Sequence, residues 1–128
     1  MSTDAPAREA LSLVTAFIHP HLEARVIRAL HDLPEFPGFS VAEARGQGRG
    51  RGFGGTYVAS EHDLTYQRHL RMEIVCRAGA VEAVMQAVAD AGWTGRRGDG
   101  VILVTPVIDF ARIRERGAAT GSDGEAAR

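Results

Sequence analysis

The sequence predicts an α+β fold in which four strands form an antiparallel sheet and two helices cover one of its faces. Two observations support this fold class. Strand-like hydrophobic patterns occur in four stretches and helix-like patterns in two others. Their order is strand, helix, strand, long loop, strand, helix, strand, which is a split βαβ arrangement. The 128 residues suffice for one domain with a core of its own.

The first half of the chain predicts a strand, a helix and a second strand. Residues 11–18 are mostly apolar and end at His19-Pro20, as a buried strand does. An amphipathic helix follows, because apolar residues recur every three or four positions up to the breaker at residues 34–38. Those apolar residues are Leu22, Val26, Leu30 and Leu33. Alternation over residues 39–45 predicts the second strand.

The second half begins with a glycine-rich loop at about residues 46–66, in which six of the first ten residues are glycine. Residues 70–77 alternate strictly and predict the third strand. Residues 81–91 have helical spacing, and residues 101–107 predict the fourth strand. We expect residues 1–10 to be flexible, residues 11–116 to form the domain, and residues 117–128 to be a disordered tail.

Composition excludes several classes of function. All 15 basic residues are arginine, so a P-loop, which needs a lysine, is absent. A net charge of -1 gives no overall field for nucleic acid, and no apolar run is long enough to insert into a membrane. The single cysteine, Cys76, is interpreted as a core residue. We expect a cytoplasmic protein, and the 45% apolar content suggests that other copies of the chain cover the open sheet face.

The turn between the second helix and the fourth strand is a candidate anion site. Its glycines let backbone N–H groups approach a phosphate, and arginines flank them. A second pair, Arg112 and Arg114, follows the fourth strand, and on an extended segment both side chains point to one face. The turn consists of Thr94, Gly95, Arg96, Arg97, Gly98, Asp99 and Gly100. A plain helix-to-strand connection is the alternative interpretation.

The other motifs are weaker. Residues 46–55 contain one GxGxxG match without a helix after it, and a short RGG tract that does not by itself predict RNA binding. The segment is better interpreted as a partner-binding loop whose base lies near a ligand. Five histidines lack the spacing of a metal motif and are interpreted as surface or supporting residues. They are His19, His21, His31, His62 and His69. No nucleophile or triad is evident.

Several blocks in order resemble the P-II family of nitrogen-regulatory signalling proteins, from Leu11 to Gly117. The most specific block is the TGxxGDG turn at residues 94–100 with Arg112-Ile113-Arg114 after it. Residues 13–20, 41–49 and 71–75 also match. The resemblance implies a ferredoxin-like homotrimer whose clefts between subunits bind ATP or ADP. It also implies a long loop, the T-loop at about residues 46–66, that docks on transporters, enzymes or regulators.

The resemblance also implies roles for individual residues. Gly98 and Gly100 would approach the phosphates, Arg112 and Arg114 would neutralise them, and Ser40 would lie near the adenine. Arg49 would reach in from the loop base, next to Gly46 and Gly48. The partner-binding positions of the loop would be Arg51, Phe53, Tyr57 and His62.

This chain departs from the family pattern at four positions. Gly50 replaces a glutamine that helps to hold magnesium and 2-oxoglutarate, and His69 replaces a lysine that binds the keto acid. We therefore do not expect 2-oxoglutarate binding, and magnesium stays open. Val101 replaces a phosphate-binding lysine, which favours ADP or AMP over ATP. His62 stands in place of the tyrosine that some members uridylylate.

These observations lead to a non-enzymatic sensor that binds ATP, ADP or AMP between subunits and regulates a membrane transporter or an enzyme through the T-loop. The alternative is a metal-responsive trimer related to proteins linked to heavy-metal efflux. A nucleotide hydrolase is disfavoured, because no base or pair of metal-binding carboxylates is evident.

Overall fold

The computed structural model describes residues 9–47 and 67–120, with side chains up to residue 117. It contains four strands, three α-helices and two short 3₁₀ turns, at Pro20–Leu22 and Ala78–Ala80. The strands and helices are β1 (Leu11–Ile18), α1 (Glu23–His31), β2 (Ser40–Gly46), β3 (Gln67–Arg77), α2 (Val81–Gly92), β4 (Ile102–Val107) and α3 (Ile113–Thr120).

The strands form one antiparallel sheet in the order β2-β3-β1-β4. This order, with α1 and α2 as the crossovers, is the ferredoxin-like arrangement that the sequence predicts. Each predicted strand is present within three residues of its expected start. Strand β3 begins three residues early, at Gln67, and there it pairs with Gly46 at the end of β2.

The core lies between the sheet and helices α1 and α2. Alternate residues of the two central strands, such as Val14 and Ile74, are fully buried on this face. They pack against the apolar stripes of the helices, where Val26, Leu30 and Val84 are also buried. The periodicities of two in the strands and 3.6 in the helices therefore meet in one core.

The opposite face of the sheet is not covered by any helix among the described residues. Leu13 of β1 lies beside Val75 of β3, and Thr15 lies beside Leu103 of β4. Val75 and Leu103 are 37% and 53% exposed. Beyond the sheet, Ile108 and Ile113 are almost fully exposed. The chain thus presents apolar surface of the kind that marks an interaction face.

The segment after β4 differs from the prediction. Arg114 lies in helix α3 and not on an extended segment, and Arg116 N donates to the carbonyl of Arg112 at 3.1 Å. The expectation of an extended segment through Arg114 is therefore wrong, and with it the basis for placing Arg112 and Arg114 on one face. Arginine, glutamate and alanine are good helix formers, which accounts for the helix. It also continues to Thr120, beyond the predicted start of the tail at residue 117.

Within the described residues, no helix combines the length and apolar character needed to cross a membrane.

Candidate functional site

The carboxylate of Asp99 holds the turn between α2 and β4 in shape. It accepts hydrogen bonds from the backbone N–H of Thr94 at 2.8 Å, from that of Gly95 at 3.3 Å, and from the hydroxyl of Thr94. His19 Nε2 lies 3.2 Å from the same carboxylate. Partial burial raises the pKa of Asp99, but these hydrogen bonds outweigh it and hold the pKa below its usual value. Asp99 is therefore an ionised structural anchor at neutral pH.

Glycine is required where the turn meets the end of β1. Gly100 has φ +113°, and a Cβ there would lie 1.8 Å from the carbonyl oxygen of Phe17. Gly98 has φ +83°, and a Cβ there would meet the side-chain amide of Gln67 at 3.0 Å. This close approach lets Val101 accept a hydrogen bond from Phe17 N at 2.9 Å. The glycine pattern is thus explained by packing within one chain, and it also leaves backbone open to a ligand.

A cleft of about 370 Å³ opens beside this turn on the uncovered face of the sheet. One wall is formed by Gly98, Asp99 and Gly100, and the ring of Phe17 also lines it. The rest of the lining comes from the ends of β2 and β3, namely Ala44, Arg45, Gly46, Gln47, Gln67 and His69, and from Val101. Gln47 and Gln67 are also the described residues nearest to both ends of segment 48–66. The turn and the base of the long loop therefore share one cleft.

The arginines of the turn do not line this cleft. Arg96 and Arg97 are both exposed, neither is among the lining residues, and Arg96 N donates to Thr94 Oγ1 at 3.1 Å. Thr94 and Gly95 do not line the cleft either, and both donate hydrogen bonds to Asp99. The expected contact of Arg96 and Arg97 with a nucleotide between subunits stays a prediction.

The second arginine pair lies at the opposite end of the sheet. Arg112 lines a separate cavity of about 820 Å³ with Leu11 and Val107, whereas the turn adjoins Phe17. Leu11 and Phe17 are six residues apart on β1, a distance of about 20 Å. A single chain therefore does not bring the turn and Arg112 together.

Of the other predicted site residues, the structure describes Ser40 and Gly46. Ser40, the first residue of the edge strand β2, pairs with Glu73 of β3 and does not line the cleft. Gly46 does line it. Six predicted residues lie outside the described part of the chain, and they are Gly48, Arg49, Arg51, Phe53, Tyr57 and His62.

Two residues in or beside the cleft were not among the predicted site residues. His19 contacts Asp99, and Gln67 packs against Gly98. In addition, His69 Nε2 donates to the carbonyl of Gly98 at 3.2 Å. The antiparallel pairing of β1 with β4 is the signal that could have identified His19, because it places the end of β1 beside the turn that precedes β4. No group of three or more potential ligands that could hold a metal ion occurs among residues 9–47 and 67–117.

Comparison with known proteins gives one consistent family. The family model described as "Nitrogen regulatory protein P-II" matches residues 11–117. The nitrogen regulatory protein P-II of Azospirillum brasilense is 37% identical over 101 residues, which are 79% of this chain and 89% of that protein. That of Rhodospirillum rubrum is 35% identical over 106 residues, covering 81% and 94%. The structure of Arabidopsis thaliana PII bound to citrate superposes with a TM-score of 0.66 at 26% identity, covering 86% of each chain.

Proposed function

This chain belongs to the nitrogen regulatory protein P-II family, and on that premise we propose that it is a non-enzymatic signal-transduction protein that senses adenine nucleotides. In this proposal, ATP, ADP or AMP binds in clefts between the subunits of a homotrimer. The bound nucleotide then determines whether the T-loop engages a partner protein, such as a transporter or an enzyme.

The separation of the two basic and glycine-rich elements within one chain carries the proposal. The turn at Gly98–Gly100 has an open backbone and no arginine from the turn in its cleft, whereas Arg112 lines a cavity at the other end of β1, about 20 Å along that strand. The apolar face between them is uncovered. A second copy packed on that face would bury Val75 and Leu103 and could bring its own arginines to the turn. Such a site needs two subunits, as the family resemblance implies.

The position of the cleft supports a link between nucleotide and loop. Gln47 and Gln67 line the cleft, and the segment 48–66 connects them. A phosphate held against Gly98 and Gly100 would lie next to both ends of that segment. Binding would therefore restrict the loop's conformations, and such ordering of a segment by a ligand can couple the ligand to a partner.

The cation content of the cleft favours the shorter nucleotides. Val101 follows Gly100 and is more than half exposed at the cleft, where the family resemblance implies a lysine. A triphosphate concentrates more negative charge than a diphosphate, so loss of one cation weakens ATP binding more than ADP binding. We expect ADP or AMP to bind more tightly than ATP, and we do not include 2-oxoglutarate as a ligand.

Isothermal titration calorimetry with ATP, ADP and AMP tests the proposal, together with the mass of the assembly from light scattering. We expect a trimer and at least micromolar affinity for ADP. The double variant Arg112→Ala/Arg114→Ala should bind ADP at least tenfold more weakly, because each lost charge-assisted contact to phosphate costs about 1.5–3 kcal/mol.

The matched control removes two exposed arginines of α1, as Arg25→Ala/Arg28→Ala. This control should leave ADP affinity unchanged. The proposal is wrong if none of the three nucleotides binds below millimolar concentration, or if both double variants bind ADP equally well.

A further inference from the structure

A groove lies behind the turn, on the side of the sheet that α1 and α2 cover. Its volume is about 300 Å³, at the lower end of the range for ligand pockets. The buried side chains of Ile18 and Val88 line it, together with residues at the end of α2 and the start of β4. We call it the tryptophan groove, because Trp93 lines it and is 68% exposed. Asp99 is the only charged side chain among its described lining residues.

The apolar side chains of this groove are open to water. Gly92 lines it without a side chain, and a Cβ there would lie 3.6 Å from Ile18 Cγ2. The indole of Trp93 lies against the turn, since a Cβ at Gly95 would be 3.3 Å from Trp93 Cζ2. Val101 also lines the groove and is 56% exposed. Two large apolar side chains thus stand exposed beside an open groove, which is typical of a docking surface.

Two cations lie next to this groove. Arg96 and Arg97 come directly after the residue that the indole contacts, and both are exposed. Neither side chain forms an ion pair with another residue in the described part of the chain. The carboxylates nearest in sequence have partners already, Asp99 within the turn and Asp90 with a side-chain amide at 2.8 Å. The two guanidinium groups are therefore available to carboxylates of another molecule.

We propose that the tryptophan groove docks an acidic segment of a partner protein. A large apolar side chain of that segment enters the groove, and its carboxylates bind Arg96 and Arg97. Tryptophan and arginine are among the residue types that most often dominate the binding energy of protein interfaces. This contact is separate from the T-loop, and it does not depend on a nucleotide in the cleft.

Charge complementarity favours such a partner over other parts of this chain. At the opposite end of the sheet, Ile113 is 90% exposed and could enter a groove on a second copy. It lies between Arg112 and Arg114, so its approach would bring like charges to the arginines of the turn. Residues 118–128 contain no large apolar side chain that could enter the groove.

Fluorescence anisotropy with a labelled peptide tests the proposal on the nucleotide-free protein. The peptide carries a central phenylalanine–leucine pair flanked by glutamates, and it should bind with micromolar affinity. Serines in place of the pair, or lysines in place of the glutamates, should weaken binding at least about tenfold, because each change removes one of the two contacts. These peptides decide without any variant of the protein. Equal affinity for all three peptides overturns the proposal, as does no binding of the first below millimolar concentration.

Charge reversal locates the acidic part of the peptide. Arg96→Glu/Arg97→Glu should bind the peptide at least about tenfold more weakly than the wild type at low ionic strength, and added salt should reduce the difference. The matched control is Arg25→Glu/Arg28→Glu, which changes the net charge equally through two exposed arginines of α1. This control should bind the peptide as the wild type does. An equal loss in both double variants would show that only net charge matters, and the proposal would then be wrong.

Trp93 locates the apolar part of the peptide and also reports on it, because it is the only tryptophan in the chain. Its emission should shift to shorter wavelength when the peptide binds. Trp93→Ala should weaken binding at least about tenfold, whereas Phe36→Ala, which removes an exposed ring outside the groove, should not. Equal affinity of these two variants would contradict the proposal.

The same fluorescence distinguishes other occupants of the groove. Without peptide, acrylamide should quench Trp93 nearly as readily as it quenches free tryptophan amide. Slow quenching would mean that a second copy or the segment 48–66 already fills the groove, which would overturn the proposal. Binding to phosphatidylserine vesicles that is lost in Trp93→Ala, without binding of the peptide, would assign the groove to a membrane surface instead. Absence of ADP binding would overturn the proposed function but not this inference, because Trp93 does not line the cleft.

Discussion

Replacement of Gly100 by alanine should destabilise the protein by about 2–3 kcal/mol, through two separable effects. The first is the backbone conformation: φ is +113°, and a left-handed conformation costs a residue with a Cβ about 1–2 kcal/mol. The second is a collision, because the new Cβ would lie 1.8 Å from the carbonyl oxygen of Phe17. Relief of that contact needs a shift of about 1 Å, which breaks the hydrogen bond from Phe17 N to Val101 and costs about 1 kcal/mol.

Gly38→Ala separates these effects. Gly38 also has a positive φ, +77°, but a Cβ there would have no atom within 4 Å. This variant should therefore lose only the conformational term, about 1–2 kcal/mol. Urea denaturation of the wild type and both variants at one protein concentration measures the difference, and the melting temperature of Gly100→Ala should fall by about 10 °C.

Equal losses of stability in Gly38→Ala and Gly100→Ala would refute the reasoning, because they would mean that the turn can move away from β1 without cost. A loss in Gly100→Ala that exceeds the loss in Gly38→Ala by about 1 kcal/mol or more would agree with it. ADP affinity should fall in Gly100→Ala but not in Gly38→Ala, since Gly100 lines the cleft and Gly38 does not.

Three further predictions concern the anchor of the turn, the open sheet face and the core. Asp99→Asn should lower the free energy of unfolding by about 1–3 kcal/mol at pH 7, because it weakens charge-assisted hydrogen bonds. Since the pKa of Asp99 is lowered in the folded protein, the carboxylate stabilises the wild type above about pH 4, and this stabilisation is lost as the pH falls. The urea midpoints of the wild type and the variant should therefore converge between about pH 4 and about pH 2. Val75→Glu places a charge on the open face of the sheet and should dissociate the proposed trimer, as measured by light scattering. Ala83→Glu, on the exposed side of α2, should leave the trimer intact. A trimer in both variants would contradict the proposed interface. Burial raises the pKa of the Cys76 thiol, and the nearby charge of Glu35 raises it further. Ellman's reagent at pH 8 should therefore react at least about tenfold more slowly with the folded protein than with the protein in urea. Equal rates would contradict the burial of Cys76.

The sequence was sufficient for the elements whose patterns are local. β1 occurs at the predicted residues 11–18, and α2 begins at the predicted Val81, because apolar periodicity reports directly which side of an element is buried. The helix after Arg112 was missed since it has no apolar stripe: its residues favour a helix through intrinsic propensity alone.

The candidate site could be predicted only in part, because some of its features depend on local conformation and others on how distant strands align. The need for glycine at residues 98 and 100 could be inferred from sequence, since few other residues tolerate such a turn. The distance between that turn and Arg112 could not, because it depends on strand length and on the end of β1 that each segment adjoins. The contact between His19 and Asp99, 80 residues apart, depends on the same register.

The separation of about 20 Å along β1 has a thermodynamic consequence for the proposed sensor. A nucleotide that contacts the turn of one chain and Arg112 of another binds the assembly more tightly than the separate chains. By linkage, the nucleotide then stabilises the assembly, by about 2.7 kcal/mol per site at one hundred times the dissociation constant for a nucleotide that the separate chains do not bind. Such a sensor reads the nucleotide through contacts between subunits, so that the loop segments 48–66 of neighbouring chains would be positioned by the same binding event.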